Sequence, residues 1–169
     1  MQDRLWAPWR LEYITNAVST PPAPQPAHTC FICQGIADNN DAAHLIAYRS
    51  KFSVVQLNKY PYNNGHLLIA PLTHSATLNE LSDDVLLDLQ HNVRLMMNHM
   101  DRFMKPDGYN VGLNLGRVAG AGLPGHLHWH VVPRWNGDTN FMPVLAQTKV
   151  ISQSLEAFRH LLVESLAKE

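Results

Sequence analysis

Three histidines recur at every second position in the segment His126-Leu127-His128-Trp129-His130. Side chains alternate between the two faces of a β-strand, so a strand here puts the three imidazoles on one face, about 6.5 Å apart. Two kinds of chemistry fit this arrangement. A His-x-His pair can bind a metal ion, and a neutral imidazole can act as a nucleophile. In the remaining alternative each histidine has a separate structural role, but this does not explain why the three histidines alternate with apolar residues.

The loop before these histidines favours the nucleophilic interpretation. Residues 116–125 contain four glycines and one proline. Such a loop can bring backbone N–H groups close to an anion, typically a phosphate. A neutral histidine beside a bound phosphate can attack phosphorus and form a phosphoramidate, while neighbouring histidines fix its tautomer and protonate the leaving oxygen.

The two cysteines, Cys30 and Cys33, are separated by two residues. This spacing allows two thiolates to share one Zn²⁺, with two further ligands completing a tetrahedron. A redox pair and two metal-free thiols are the alternatives, although no second half of a thioredoxin pattern is evident. Residues 1–10 contain no apolar signal-peptide core. We therefore expect a cytoplasmic protein, in which such a pair indicates metal or redox chemistry before a structural disulfide.

The segment 126–132 resembles the motif of the histidine triad (HIT) family, His-φ-His-φ-His-φ-φ with φ apolar, and matches it in full. The resemblance extends over roughly residues 28–140 and includes Asn58, residues 65–74, Asn114 and residues 119–120. Residues 5–10 and 133–142 further resemble the diadenosine tetraphosphate phosphorylase-like branch of the family.

The resemblance implies a catalytic role for three residues. His128, the middle histidine, is implied as the nucleophile that attacks the α-phosphate and forms a nucleotidyl-histidine. His130 is implied to hydrogen-bond around the phosphate and orient the site, and Asn114 to hold a phosphate oxygen.

The resemblance also implies a nucleotide-binding set. Asn58 binds the ribose hydroxyls, Phe31 and Ile32 line the base pocket, and Gly120 and Gly122 belong to the phosphate-binding loop. Many relatives carry Gln or Ser in the loop just before the triad, but residues 121–125 here offer no side-chain donor. Either backbone N–H groups replace it, or the enzyme is slower or tuned to another leaving group.

Zinc-containing members of the family bind the metal at positions that correspond to Cys30, Cys33, His74 and His126. Four protein ligands leave no open position for water, so this zinc is expected to be structural. His28 is a rival fourth ligand that lies outside the family pattern. No organic cofactor is expected.

The activity implied by the resemblance is nucleotidyl transfer on dinucleoside polyphosphates, converting diadenosine tetraphosphate and inorganic phosphate to ADP and ATP. Three alternatives stay open: hydrolysis with water as the acceptor, a catalytically weak nucleotide-binding protein, and a histidine–metal enzyme of another class. The expected partners are adenine nucleotides, inorganic phosphate and a second copy of the chain in a homodimer.

Length, composition and charge limit which classes of protein this chain can belong to. The chain has 169 residues, of which 46% are hydrophobic, which suits one folded domain. A net charge of -1 provides no basic excess for a polynucleotide, and no 18-residue apolar stretch is present to span a membrane. Residues 1–27 are interpreted as an N-terminal arm with a proline-rich connector, and residues 28–169 as a single HIT domain.

Hydrophobic periodicity predicts the elements that position these residues. Five strands are predicted at 44–48, 52–57, 66–70, 109–115 and 126–132, a long helix begins after the N-cap Ser82, and a last helix covers 151–167. The order β-β-β-α-β-β-α predicts an α+β fold with an antiparallel sheet, which the family resemblance pairs as a twofold dimer. His44, His91, His99 and His160 are assigned solvated or capping roles, and His66 is expected to order the loop beneath the triad.

Overall fold

A computed structural model describes residues 26–139 and 150–168 of the chain. The described residues form three α-helices and one five-stranded antiparallel sheet, which confirms the predicted α+β class. Nearly all of the predicted N-terminal arm lies outside the described residues. The elements are α1 (Phe31–Ala37), β1 (Ile46–Arg49), β2 (Ser53–Leu57), β3 (Leu67–Pro71), α2 (Asp83–Phe103), β4 (Gly108–Leu113), β5 (Trp129–Arg134) and α3 (Leu155–Leu166).

The sheet has the strand order β1-β2-β3-β5-β4, so β5 is inserted between β3 and β4. At the end of the histidine motif, His130 of β5 pairs with Leu68 of β3 on one side and with Gly112 of β4 on the other. The last histidine of the motif is therefore held by neighbours on both sides, while β4 forms an edge of the sheet.

The two faces of the sheet have different coverings. The alternation along β2 places Val55 in the main core with Leu89 and Met96 of α2, and places Val54 in a smaller cluster with Cys30 and Ile32. The methionine-rich stripe of α2 is thus core packing, as the periodicity predicts. α3 packs against both α2 and β1. The histidine segment 126–130 lies on the face opposite α2, beside α1.

The strand predicted at 126–132 begins only at Trp129. Pairing of β3 with β5 ends at Ile69 and Trp129, and the backbone N–H of Leu127 instead donates to the carbonyl oxygen of Ser75 at 2.7 Å. His126 and His128 therefore precede the strand, and the prediction that one strand carries all three histidines is wrong.

Two other helical features differ from the sequence interpretation. The sequence analysis missed α1, whose N-cap is a cysteine: the Sγ of Cys30 accepts a bond from the backbone N–H of Cys33 at 3.4 Å. Ser82 occupies the N-cap of α2, but its side chain makes no capping bond.

The assignment of His99 to a polar helix face is wrong. His99 is fully buried, and its Nδ1 lies 2.7 Å from the hydroxyl of Ser165 in α3. The polar side chain is on the buried face because α3 crosses α2 there and supplies a partner. Within 26–139 and 150–168, no helix has the length and apolar character needed to cross a bilayer.

Candidate active site and metal centre

His128 is held by a backbone atom of its own segment. Its Nδ1 lies 2.8 Å from the carbonyl oxygen of His126. A carbonyl oxygen can only accept, so Nδ1 carries the ring proton and donates it. Burial lowers the pKa of His128, which keeps the ring neutral near pH 7. The Nε2 lone pair is then available for attack on an electrophile.

His130 and His66 form a second hydrogen-bonded pair. The backbone N–H of Tyr62 donates to Nδ1 of His66 at 3.0 Å, so a neutral His66 must carry its proton on Nε2. That Nε2–H donates to Nδ1 of His130 at 2.8 Å. His130 consequently carries its own proton on Nε2 and can offer it as a donor in the cleft beside His128.

Both members of this pair are neutral near pH 7. Burial, followed by the nearby His130, lowers the pKa of His66 to about 3, and burial lowers the pKa of His130 to about 4. The ring centroids of His130 and His128 are 5.0 Å apart. The sequence analysis placed His66 at the start of a strand and expected it to order the loop beneath the triad, but nothing in residue type or spacing revealed its bond to His130.

The four predicted metal ligands come together from three parts of the chain. One potential ligand atom from each of Cys30, Cys33, His74 and His126 lies within 4.8 Å of all the others. Nδ1 of His126 is 3.3 Å from both sulfurs, and Nδ1 of His74 is 3.2 Å from Sγ of Cys33. Zn–S and Zn–N bonds of about 2.3 and 2.0 Å give tetrahedral S···N edges of about 3.5 Å, close to these separations.

The chemistry of the donor set also fits a cation. Nε2 of His126 lies 2.9 Å from the carbonyl oxygen of Pro71, so Nε2 carries the proton and the Nδ1 lone pair is left for a metal. Burial and the neighbouring Cys30 raise the pKa of Cys33 to about 11. Two adjacent sulfurs resist ionisation together unless a cation lies between them. His28 is not part of this group.

A cleft of about 520 Å³ opens beside His128 and His130. Of the predicted nucleotide-binding residues, Phe31, Asn58, Gly120 and Gly122 line it. Ile32 does not line it: its side chain is 2% exposed and packs in the smaller cluster, so it supports the wall from behind. The full lining is Phe31, Ala43, His44, Leu45, Gln56, Leu57, Asn58, Lys59, Tyr60, Tyr62, Leu68, Gly120, Gly122, Leu123, His128 and His130.

The glycine-rich loop borders this cleft, whereas Asn114, which follows β4, is not among the described residues that line it. Gly120 has a φ of +93°, in the left-handed region that favours glycine. A Cβ built on Gly120 would lie 3.9 Å from Nδ2 of Asn114. Asn114, which is expected to hold a phosphate oxygen, therefore lies next to the loop. Lys59 is the one Lys or Arg among the described residues that line the cleft, and no carboxylate lines it. The cleft is therefore suited to an anion.

Comparisons with known proteins identify relatives of this chain in sequence and in fold. A sequence model of the HIT domain matches residues 39–137. The AP-4-A phosphorylase of Mycobacterium tuberculosis is 37% identical over 167 residues, covering 99% of this chain and 86% of that protein. A Zn-bound histidine triad family protein from Mycobacterium smegmatis superposes with a TM-score of 0.68 at 24% identity, over 85% of this chain and 96% of that chain. A hypothetical histidine triad nucleotide-binding protein from Sulfolobus tokodaii superposes with a TM-score of 0.61 at 28% identity, over 73% and 84%.

The pKa values of His66 and His130 predict an acid-sensitive fold. Both groups have a pKa near 6.5 in an unfolded chain, whereas the folded values are about 3 and about 4. Between these limits the unfolded chain binds more protons, so the free energy of unfolding decreases as the pH falls. Each histidine contributes a slope of up to about 1.4 kcal/mol per pH unit. Urea unfolding at several pH values between about 7 and 4.5 measures this slope.

The variant His66→Gln should have a shallower slope than the wild type, because one of the two groups no longer titrates. His91→Gln is the matched control, since His91 is exposed on α2, and it should keep the wild-type slope. Equal slopes for His66→Gln and the wild type would contradict the prediction.

Proposed function

Because this chain belongs to the HIT domain family, we propose that it is an enzyme that transfers a nucleotidyl group from diadenosine tetraphosphate to inorganic phosphate, giving ADP and ATP. The observation that carries the proposal is the ring of His128, whose protonated Nδ1 is bound to a backbone carbonyl while Nε2 is left for attack. The 37% identity to an AP-4-A phosphorylase over nearly the whole chain supports this substrate.

The first step forms a bond between Nε2 of His128 and the α-phosphorus, and breaks the bond from that phosphorus to the bridging oxygen. The leaving group is ATP, and the adenylyl group stays on His128 as a phosphoramidate. The Nε2–H of His130 hydrogen-bonds to the phosphate as charge moves onto its oxygens. In the second step, an oxygen of inorganic phosphate attacks the same phosphorus, releases the imidazole and gives ADP.

The remaining site residues bind and position the nucleotide. Asn58 binds the ribose hydroxyls, and Phe31 contacts the base from the rim of the cleft, where its ring is 42% exposed. Asn114 holds a phosphate oxygen next to Gly120. The N–H groups of Gly120 and Ala121 already donate to the carbonyl oxygens of Arg117 and Gly116, and Pro124 has no N–H. The backbone N–H groups of Gly122, Leu123 and Gly125 therefore take the place of the side-chain donor that many relatives carry there.

A second candidate function is hydrolysis, with water as the acceptor. The absence of a side-chain donor between Ala121 and Gly125 favours it, because weaker contacts to the phosphate leave the acceptor less defined. The products distinguish the two reactions: phosphorolysis gives ADP and ATP only when phosphate is present, whereas hydrolysis gives AMP and ATP in either case.

We also propose that the Cys30, Cys33, His74 and His126 group holds a structural zinc. When bound, the ion would supply a cross-link between α1, the segment after β3 and the triad segment. With four protein ligands it offers no open position to substrate or water. Two cysteines without a disulfide persist in a reducing compartment, which supports a cytoplasmic location.

A homodimer is the proposed assembly. The edge strand β4 exposes its central residues, and the side chain of Val111 is 43% exposed. An exposed edge of this kind offers unpaired backbone groups to a second chain. Pairing of two β4 strands would cover this edge in both copies.

Replacing the nucleophile tests the proposed reaction. His128→Ala should lower the turnover of diadenosine tetraphosphate on the order of 10⁴-fold or more, because the covalent route is lost. Nucleotide binding should persist, since Asn58 and Phe31 are unchanged. Steady-state formation of ADP and ATP measures turnover, and calorimetry measures binding.

The exposed His91 again supplies a control, and His91→Ala should retain wild-type turnover. Rapid quench with labelled substrate should trap an adenylyl adduct on the wild-type peptide that contains His128. Near-normal turnover by His128→Ala, or a label on another peptide, would refute the mechanism.

Metal content tests the proposed zinc centre. Protein purified without chelator should contain about one zinc per protomer. Cys30→Ser should lose the metal and unfold at lower temperature, because ligand binding contributes to folding free energy. The exposed His28, close to Cys30 in the chain, provides a control: His28→Ala should keep both the metal and the stability. A wild-type protein that keeps its full thermal stability without bound metal would rule out a structural zinc.

Light scattering at micromolar concentration should give the mass of a dimer. A lysine on the exposed edge opposes strand pairing, so Val111→Lys should shift the protein to monomers. Leu87→Lys places the same charge at a side chain that is 63% exposed on α2 and should leave the dimer intact. A wild-type monomer, or equal behaviour of the two variants, would count against the proposal.

A further inference from the structure

The side chains of two tyrosines lie in the wall of the cleft and have no role in the proposed reaction. Tyr60 is 78% exposed and Tyr62 is 58% exposed, and both line the cleft that contains His128 and His130. Besides Phe31, they are the only Phe, Tyr or Trp residues among the described lining residues. Large aromatic rings held open to solvent beside a nucleotide site are suited to stacking on a base.

The loop that carries the tyrosines is fixed to the rest of the site. The backbone N–H groups of Asn58 and Tyr62 donate to the carbonyl oxygen and to Nδ1 of His66, at 2.9 and 3.0 Å. Nδ2 of Asn63 donates to the carbonyl oxygen of Pro133 at 3.0 Å. The backbone at Tyr60 is fixed by its N–H, which donates to Oδ1 of Asn58 at 2.9 Å. Because the backbone of the loop is held in place, stacking on these rings requires no ordering of the loop itself.

Tyr62 is also placed next to the reacting centre. Its ring stacks on His130 with centroids 5.7 Å apart and planes inclined by 17°. The Tyr62 ring also lies 4.6 Å, centroid to centroid, from the ring of His66. Tyr62 thus contacts both members of the histidine pair while it remains largely exposed in the cleft wall. Lys59, which precedes Tyr60, adds a positive charge to this part of the wall. The neighbourhood thus combines a cation with aromatic rings, which suits a nucleotide that bears several phosphates.

We propose that Tyr60 and Tyr62 bind the base of the departing nucleotide, so that the cleft selects dinucleoside polyphosphates over mononucleotides with the same number of phosphates. This inference rests on the proposed function, in which Phe31 and Asn58 hold the nucleoside that becomes attached to His128. The base of the departing ATP can stack on a second aromatic surface, and Tyr60 and Tyr62 are the aromatic residues that remain among the described residues lining the cleft.

The test compares diadenosine tetraphosphate with adenosine 5′-tetraphosphate, which keeps one adenosine and all four phosphates but lacks the second nucleoside. Calorimetry in a His128→Ala background measures both affinities without turnover. The dinucleotide should bind roughly tenfold or more tightly, the range expected for stacking of one base. Adding Tyr60→Ala should remove most of this preference, whereas Tyr60→Phe, which keeps the ring, should retain it.

Equal affinities for the two compounds, binding of neither compound, or an equal loss of both affinities in Tyr60→Ala would overturn the inference. An equal loss would mean that Tyr60 serves the first nucleoside or the phosphates. Turnover by the wild-type protein is measured in a separate experiment, as formation of ADP and ATP. A tyrosine-dependent preference in binding, with no formation of ATP from the dinucleotide, would overturn the proposed function and leave the second-base site standing.

Discussion

A neutral imidazole carries one proton on one of two nitrogens, and this site depends on which nitrogen carries it. Backbone atoms make the choice for each histidine of the motif. The carbonyl oxygen of Pro71 places the proton of His126 on Nε2, and the carbonyl oxygen of His126 places that of His128 on Nδ1. The N–H of Tyr62 acts through His66 on His130. Three residues of one type thereby present a lone pair open to a cation, a lone pair open to an electrophile and a donor.

The departure of residues 126–128 from the sheet makes this assignment possible. In a regular ladder the carbonyl oxygen of His126 would point along the sheet toward a neighbouring strand, whereas the ring of His128 would stand perpendicular to the sheet. Outside the ladder that oxygen meets Nδ1 of His128, the next histidine of the motif. The start of β5 at Trp129 then fixes His130 between Leu68 and Gly112. A regular strand through residue 126 would align the three rings but would not bring this carbonyl oxygen to the ring of His128.

Sequence reasoning succeeded where one local pattern decides the outcome. The alternation of apolar residues gave the strands, the stripe on α2 gave the long helix, and the motif brought His128, His130 and the four potential metal ligands to attention. It failed where a distant partner decides. His99 is buried because Ser165 meets it across two helices, and Ile32 is buried because Val54 and Ile46 pack against it. α1 was missed because a cysteine caps it and its seven residues carry little periodicity.

The position of His126 has a consequence for the entropy of catalysis. Its side chain belongs to the potential metal centre, and its carbonyl oxygen holds the ring of His128, so one residue takes part in both. With a cation bound, the ordering of this segment occurs during folding and is supported by the free energy of ligand binding. The rotational freedom of His128, the proposed nucleophile, is then already lost before a substrate arrives. Binding energy from the nucleotide remains available for the reacting phosphate instead of being consumed in ordering the protein.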